Sequence, residues 1–123
     1  ALQGEAGVVA LAWSSTADPL SKDVGGDVVW SASKQSGFMR FHGLAANDPK
    51  RAQYQLWIFD ADRDERYPVD GGVFDVAANG DTIVAIKARV PVGKATLFAV
   101  TVERPGGVVV SKREHIVAVA KVG

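Results

Sequence analysis

Apolar side chains in this chain recur every second residue, and no window sustains a spacing of three to four for three turns. That period decides the fold class, because a strand sends successive side chains to opposite faces while a helix repeats every 3.6 residues. Val28, Trp30 and Ala32 alternate with Asp27, Val29 and Ser31. Phe38, Arg40 and His42 alternate with Met39 and Phe41. Tyr54, Leu56 and Ile58 share one face of a segment whose other face carries Gln55, Trp57 and Phe59. Residues 83–86, 97–102 and 116–120 are short apolar runs of strand length, rich in β-branched residues.

Turn signals separate these runs: Asp18-Pro19, Gly25-Gly26, Ser36-Gly37, Asn47-Asp48-Pro49, Gly71-Gly72, Asn79-Gly80-Asp81, Pro91-Val92-Gly93 and Pro105-Gly106-Gly107. Asn79-Gly80 is the strongest hairpin turn, since both residues tolerate positive φ. The pattern predicts strands over 8–14, 27–32, 37–43, 53–60, 72–77, 82–88, 95–103 and 115–121. One helical turn is expected from Asp48 to Gln53, with Asp48 capping Pro-Lys-Arg-Ala. The economical architecture is all-β: a single-domain antiparallel β-sandwich of about eight strands, immunoglobulin-like in general outline. Residues 1–26 supply a leading strand and loop and form one compact unit with 27–123. Ala1–Ala6 and Lys121–Gly123 are expected to fray.

Composition removes several functional classes. Fourteen basic side chains balance fourteen acidic ones, so no global field draws in nucleic acid or an anionic membrane. The absence of cysteine removes disulfides, thiolate metal sites and a thiol nucleophile. The longest apolar stretch, 8–13, is far short of the ~18 residues a membrane span needs. The chain opens at Ala1 with neither an initiator Met nor a basic, apolar leader, and so reads as a soluble piece of a longer protein.

Candidate chemistry is sparse. Asp60, Asp62 and Asp64 alternate as at the start of a calcium loop, but Glu65 stands where that loop needs Gly and Gly71 where it needs a bidentate Glu. Arg63 and Arg66 oppose a cation as well. A solvated hairpin tip, its charges discouraging edge pairing, is the better reading. His42 and His115 are the only histidines, with no nucleophile elbow to accompany them, and both are expected at surface or strand-edge positions. No carboxylate pair stands out in an apolar setting, and the glycines punctuate turns rather than cradle phosphates. No catalytic, metal or cofactor-binding residue is assigned. The aromatics Trp13, Trp30, Tyr54, Trp57, Phe59 and Phe74 are read as core, with the Trp57/Phe59 face as the place to seek a ligand surface.

The order of three elements carries a resemblance. Tyr54-Gln55-Leu56-Trp57 is followed by Gly72-Val73-Phe74, and then by Ala99-Val100-Thr101-Val102-Glu103 before Pro105-Gly106-Gly107. With Gly26 to Trp30, Gln35 to Phe38, Gly43-Leu44 and the Asn47-Asp48-Pro49 loop, this resembles the C-terminal domain of the anti-sigma-K factor family over roughly residues 27 to 120. Two features depart from the usual pattern. The tip between Phe59 and Gly71 is longer and more charged, and Ser111-Lys112-Arg113-Glu114-His115 replaces a Pro-Thr-Gly-like stretch.

The resemblance implies a non-enzymatic domain on the extracytoplasmic, periplasmic side of a bacterial membrane-anchored anti-sigma factor. Such a domain couples an envelope signal to proteolytic release of a sigma factor. Its implied partners are that sigma factor, held by a cytoplasmic region absent from this chain, and membrane proteases; no cofactor and no nucleic acid are implied. The expected interaction surface is Trp57, Phe59, Asp62, Arg63, Asp64, Arg66 and Tyr67. A sugar- or peptide-binding β-sandwich module is the alternative, and it requires Trp30 and Trp57 to face solvent.

Overall fold

A computed structural model describes residues 7–77 and 81–122. The expected Asn79-Gly80 turn and the ends at 1–6 and 123 lie outside the described residues. The strands are β1 (Val8–Ala12), β2 (Gly25–Ser31), β3 (Ser36–His42), β4 (Gln53–Asp60), β5 (Val69–Phe74), β6 (Asp81–Ala85), β7 (Ala95–Glu103) and β8 (Ile116–Lys121). They form two four-stranded antiparallel sheets, ordered β1-β2-β3-β6 and β5-β4-β7-β8.

The alternating residues meet between these layers. Val28, Trp30, Met39 and Phe41 project from the first sheet against Tyr54, Leu56, Ile58, Phe98, Val100 and Ala118 of the second. At one end the rings stack across the sandwich: Trp13 on Phe41 (5.1 Å), Phe41 on Phe74 (5.3 Å) and Phe74 on Tyr54 (5.7 Å). Each such ring removes about 150–250 Å² from water, worth roughly 4–6 kcal/mol at 25 cal/mol per Å². The Tyr54 hydroxyl donates to the Ala45 carbonyl at 2.6 Å, so the polar end of that ring is satisfied.

Two stretches carry the chain from one sheet to the other and shorten the expected strands. After β1, Trp13 N–H donates to Gly26 O (3.1 Å), and Ser14 then exchanges two backbone bonds with Val119 of β8 (2.7 and 3.1 Å). After β6, Ile86 N–H still bonds Gly37 O, but Lys87 and Arg89 donate to Gly71 and Asp70 on the edge of β5. Thus β1 ends two residues early and β6 three, because the chain crosses to the opposite sheet from Ser14 and from Lys87 onward. β5 starts at Val69 rather than at residue 72, since Val69 and Asp70 pair with Ile58 and Trp57 across a bulge at Leu56/Trp57.

The expected capped turn at Asp48 is present: Asp48 Oδ1 accepts from Lys50 N–H, and Asp48 O from Arg51 and Ala52, before β4 begins at Gln53. Two local features were not expected. A 3-10 turn spans Pro19–Ser21, where Asp18 Oδ1 caps Leu20 N–H at 3.0 Å. At the C-terminus Lys121 does not fray. It pairs with Leu97, and Val122 N–H donates to Thr96 O at 3.0 Å. Among the described residues no helix is long and apolar enough to cross a membrane.

Candidate interaction surface

The outer face of the second sheet is covered by the connection between β7 and β8. Residues 104–115 turn at Pro105-Gly106-Gly107 and run back across the strands as a strap. Gly107 makes this possible: its φ is +77°, and a Cβ there would stand 2.6 Å from Val73 Cγ2 and 2.7 Å from Gln55 Oε1. Gln55 clamps the strap at two points. Its Nε2 donates to Val108 O and its Oε1 accepts from Val108 N–H, both at 3.0 Å.

A second anchor is a chain of side-chain bonds. Trp57 Nε1 donates to Thr101 Oγ1 (2.9 Å), Thr101 Oγ1 donates to Glu103 Oε2 (2.6 Å), and Ser111 Oγ donates to the same oxygen (2.5 Å). A third anchor is Arg113, whose guanidinium lies 5.0 Å from the centre of the Phe59 ring and also donates to the Glu65 carbonyl at the hairpin tip. Arg113 holds a left-handed φ of +57°, a conformation costing a non-glycine residue about 1–2 kcal/mol, and these contacts offset it. At the far end His115 Nδ1 meets Asp18 Oδ2 at 2.9 Å, and Val102 N–H donates to His115 O.

The β4–β5 tip, residues 61–68, is held from beneath by Asp60. This carboxylate is buried, contrary to the expectation of a fully solvated tip. It accepts from the N–H groups of Asp62 (2.9 Å), Gly93 (2.7 Å) and Lys94 (3.3 Å). The Asp62 bond foremost holds its pKa below the ordinary 3.8 against the opposing effect of burial, with Gly93, Lys94 and Arg63 assisting. The three alternating aspartates therefore do not act together. Asp60 points inward, while Asp64 pairs with Arg66 at 2.7 Å on the surface. Among the described residues no three potential ligands gather to hold a metal ion.

The expected surface residues separate into two sets. Asp62, Arg63, Asp64, Arg66 and Tyr67 are exposed together, with the Arg66 guanidinium 5.6 Å from the centre of the Tyr67 ring. Phe59 is half-buried beneath Arg113, where it borders a groove of about 440 Å³ shared with Arg63, Glu65 and Leu97. Trp57 is not at the surface. At 2% exposure it lies under the strap, and Trp30 is buried at 1% in the core. Neither indole presents a face to solvent. Sequence periodicity placed Trp57 correctly on the face away from the core, but gave no sign that a later segment folds over that face.

His42 and His115 are both exposed. The Thr16 hydroxyl near Asp18 donates to Ile116 O (2.5 Å) and accepts from Asp18 N–H (3.2 Å), so it braces the loop. The residues that reasoning from sequence missed are the anchors: Gln55, Asp60, Thr101, Glu103 and Ser111. Gln55, a polar residue set between Tyr54 and Leu56 in the middle of an apolar run, is the one signal the sequence offered.

The family model described as "Anti-sigma-K factor rskA, C-terminal" matches residues 2–112. The matched region includes β1 and ends inside the strap, so it opens well before the residues that carried the resemblance and stops short of β8. No curated protein and no solved structure matches the chain. A match over most of the sequence makes this chain a member of the anti-sigma-K factor C-terminal domain family.

Proposed function

We propose that this domain is the extracytoplasmic regulatory part of a membrane-anchored anti-sigma factor, and that it couples an envelope signal to proteolytic release of the sigma factor. It catalyses no reaction itself. The sigma factor is held by a cytoplasmic region outside this chain, and membrane proteases act on the connection between them. Family membership over residues 2–112 is the observation that carries the reading.

The build of the domain suits a receiver. A core of stacked rings is stable, while the strap and the charged tip meet over one face through a few polar contacts. Local opening of such an element changes how often nearby chain is accessible to a protease, without unfolding the whole. The sugar- or peptide-platform alternative loses its support, because Trp30 and Trp57 are both covered.

The test uses the intact gene product in cells, with a sigma-dependent reporter and immunoblots of the membrane fragment. Deleting this domain, or reversing the charges of Asp62, Asp64 and Arg66, is expected to change both fragment yield and reporter output. Unchanged output and fragments in the deletion strain would refute the assignment.

A further inference from the structure

The strap carries apolar side chains that its own docking does not use. Val109 is 91% exposed and Val110 47%, between the Gln55 clamp at Val108 and the Ser111 anchor. The two valines thus stand together in solvent on a segment that is otherwise fixed at both ends. With Arg51, Arg104, Lys112 and Arg113 they border an open groove of about 670 Å³. Arg104 and Lys112 are exposed and have no acidic partner among the described residues. Of the two carboxylates nearby, Glu103 is turned to the Thr101 and Ser111 hydroxyls, leaving Glu114 in solvent. The chain as a whole is neutral, so this positive patch arises from segregation of charge by the fold.

We infer that the Val109–Val110 tip and its rim of Arg104 and Lys112 form a contact site for an anionic membrane surface. Apolar side chains flanked by cations match a bilayer interface, where valines enter the headgroup region and the cations meet lipid phosphates. A bilayer is favoured over an acidic protein because the apolar element projects, whereas protein partners take their anchors into well-packed pockets. The inference deepens the reading above and rests on it for the tether. A few charges and two valines bind a bilayer weakly, so high lipid concentration is needed to load the free chain, and a tether beside the bilayer raises the occupancy of the contact.

The chain has no cysteine, so Val109→Cys accepts a single environment-sensitive fluorophore. The labelled chain is titrated with vesicles of equal parts phosphatidylcholine and phosphatidylglycerol, and with phosphatidylcholine alone. Unlabelled chain is cosedimented with both as a second measurement. A blue shift and cosedimentation are expected with the mixed vesicles only. Both should fall about tenfold or more in the Arg104→Glu, Lys112→Glu variant, and fall with added salt. No response to mixed vesicles, or an equal response in the double variant, overturns the proposal. So does a response to soluble polyglutamate without one to vesicles, which assigns the patch to an acidic protein. Sigma-factor release is read separately in cells. If the wild-type chain gives no response to mixed vesicles while signal-dependent release persists in cells, this contact falls and the anti-sigma reading stands.

Discussion

Substituting Gln55 with Ala isolates the strap from the sandwich beneath it. The wild-type amide exchanges two hydrogen bonds with Val108, and each neutral bond contributes about 0.5–1.5 kcal/mol net. Val108 is only partly buried, so water replaces the lost partners and no full desolvation penalty is added. The expected cost is therefore about 2 kcal/mol, equivalent to about a 30-fold rise in the opened population of the strap. Hydrogen exchange reads this directly. The Val108 amide should exchange about 30-fold faster, while amides of the β4–β7 ladder, such as Leu56, change only as far as global stability does. Gln55→Met keeps the length and removes the polar atoms, so it must reproduce the effect at Val108. Unaltered exchange at Val108 in Gln55→Ala, or protection restored by Met, would refute the clamp.

The other expectations concern single contacts. Thr101→Val keeps the shape but leaves the buried Trp57 N–H without an acceptor, costing about 1–3 kcal/mol by urea denaturation and altering indole fluorescence. Gly107→Ala combines positive φ with a clash on Val73 and Gln55 and should cost about 1–3 kcal/mol. Gly106→Ala meets nothing within 4 Å and should cost only its backbone strain, measured as a smaller drop in urea midpoint. Asp60 has a folded pKa below its ordinary 3.8, so its contribution is complete above that value and disappears as pH falls through the folded value. Asp60→Asn should cost about 1.5–3 kcal/mol near neutrality and flatten the acid limb of a stability–pH profile. Tyr54 behaves oppositely: burial foremost, then the charge of Asp18, raises its pKa from 10.0 to about 12. Its contribution holds below 10 and is lost as pH rises through about 12, and Tyr54→Phe should remove that alkaline loss in the same profile.

The layers of this fold were legible because each strand needs only its own alternation to declare a face. Tyr54, Leu56 and Ile58 read as a core face from sequence, and all three are buried between the sheets. Strand ends were less legible where the chain changes sheet. Nothing local marks Lys87 as a residue that bonds to Gly71, sixteen positions earlier, since the pairing depends on where β5 lies in space. The turn at Asp48 was legible because its cap is local: Asp48 Oδ1 accepts from Lys50 N–H two residues on, and β4 takes over at Gln53.

The outer face of the second sheet shows why the site was harder to read than the fold. Trp57 and Phe59 on one face suggested an open aromatic surface, and the inference failed at Trp57 because coverage is a tertiary fact. The strap that covers it begins some fifty residues later in a Pro-Gly-Gly turn, which read only as the end of a strand. The same geometry explains how a neutral chain acquires local charge. Glu103 is turned to two hydroxyls, Asp60 is turned into a cage of backbone N–H groups, and Arg104 and Lys112 are left outside without partners among the described residues. Composition counted these groups as cancelling. Cancellation holds only at distances beyond the screening length of about 8–10 Å; within it, a ligand meets the cations that the fold has left uncovered.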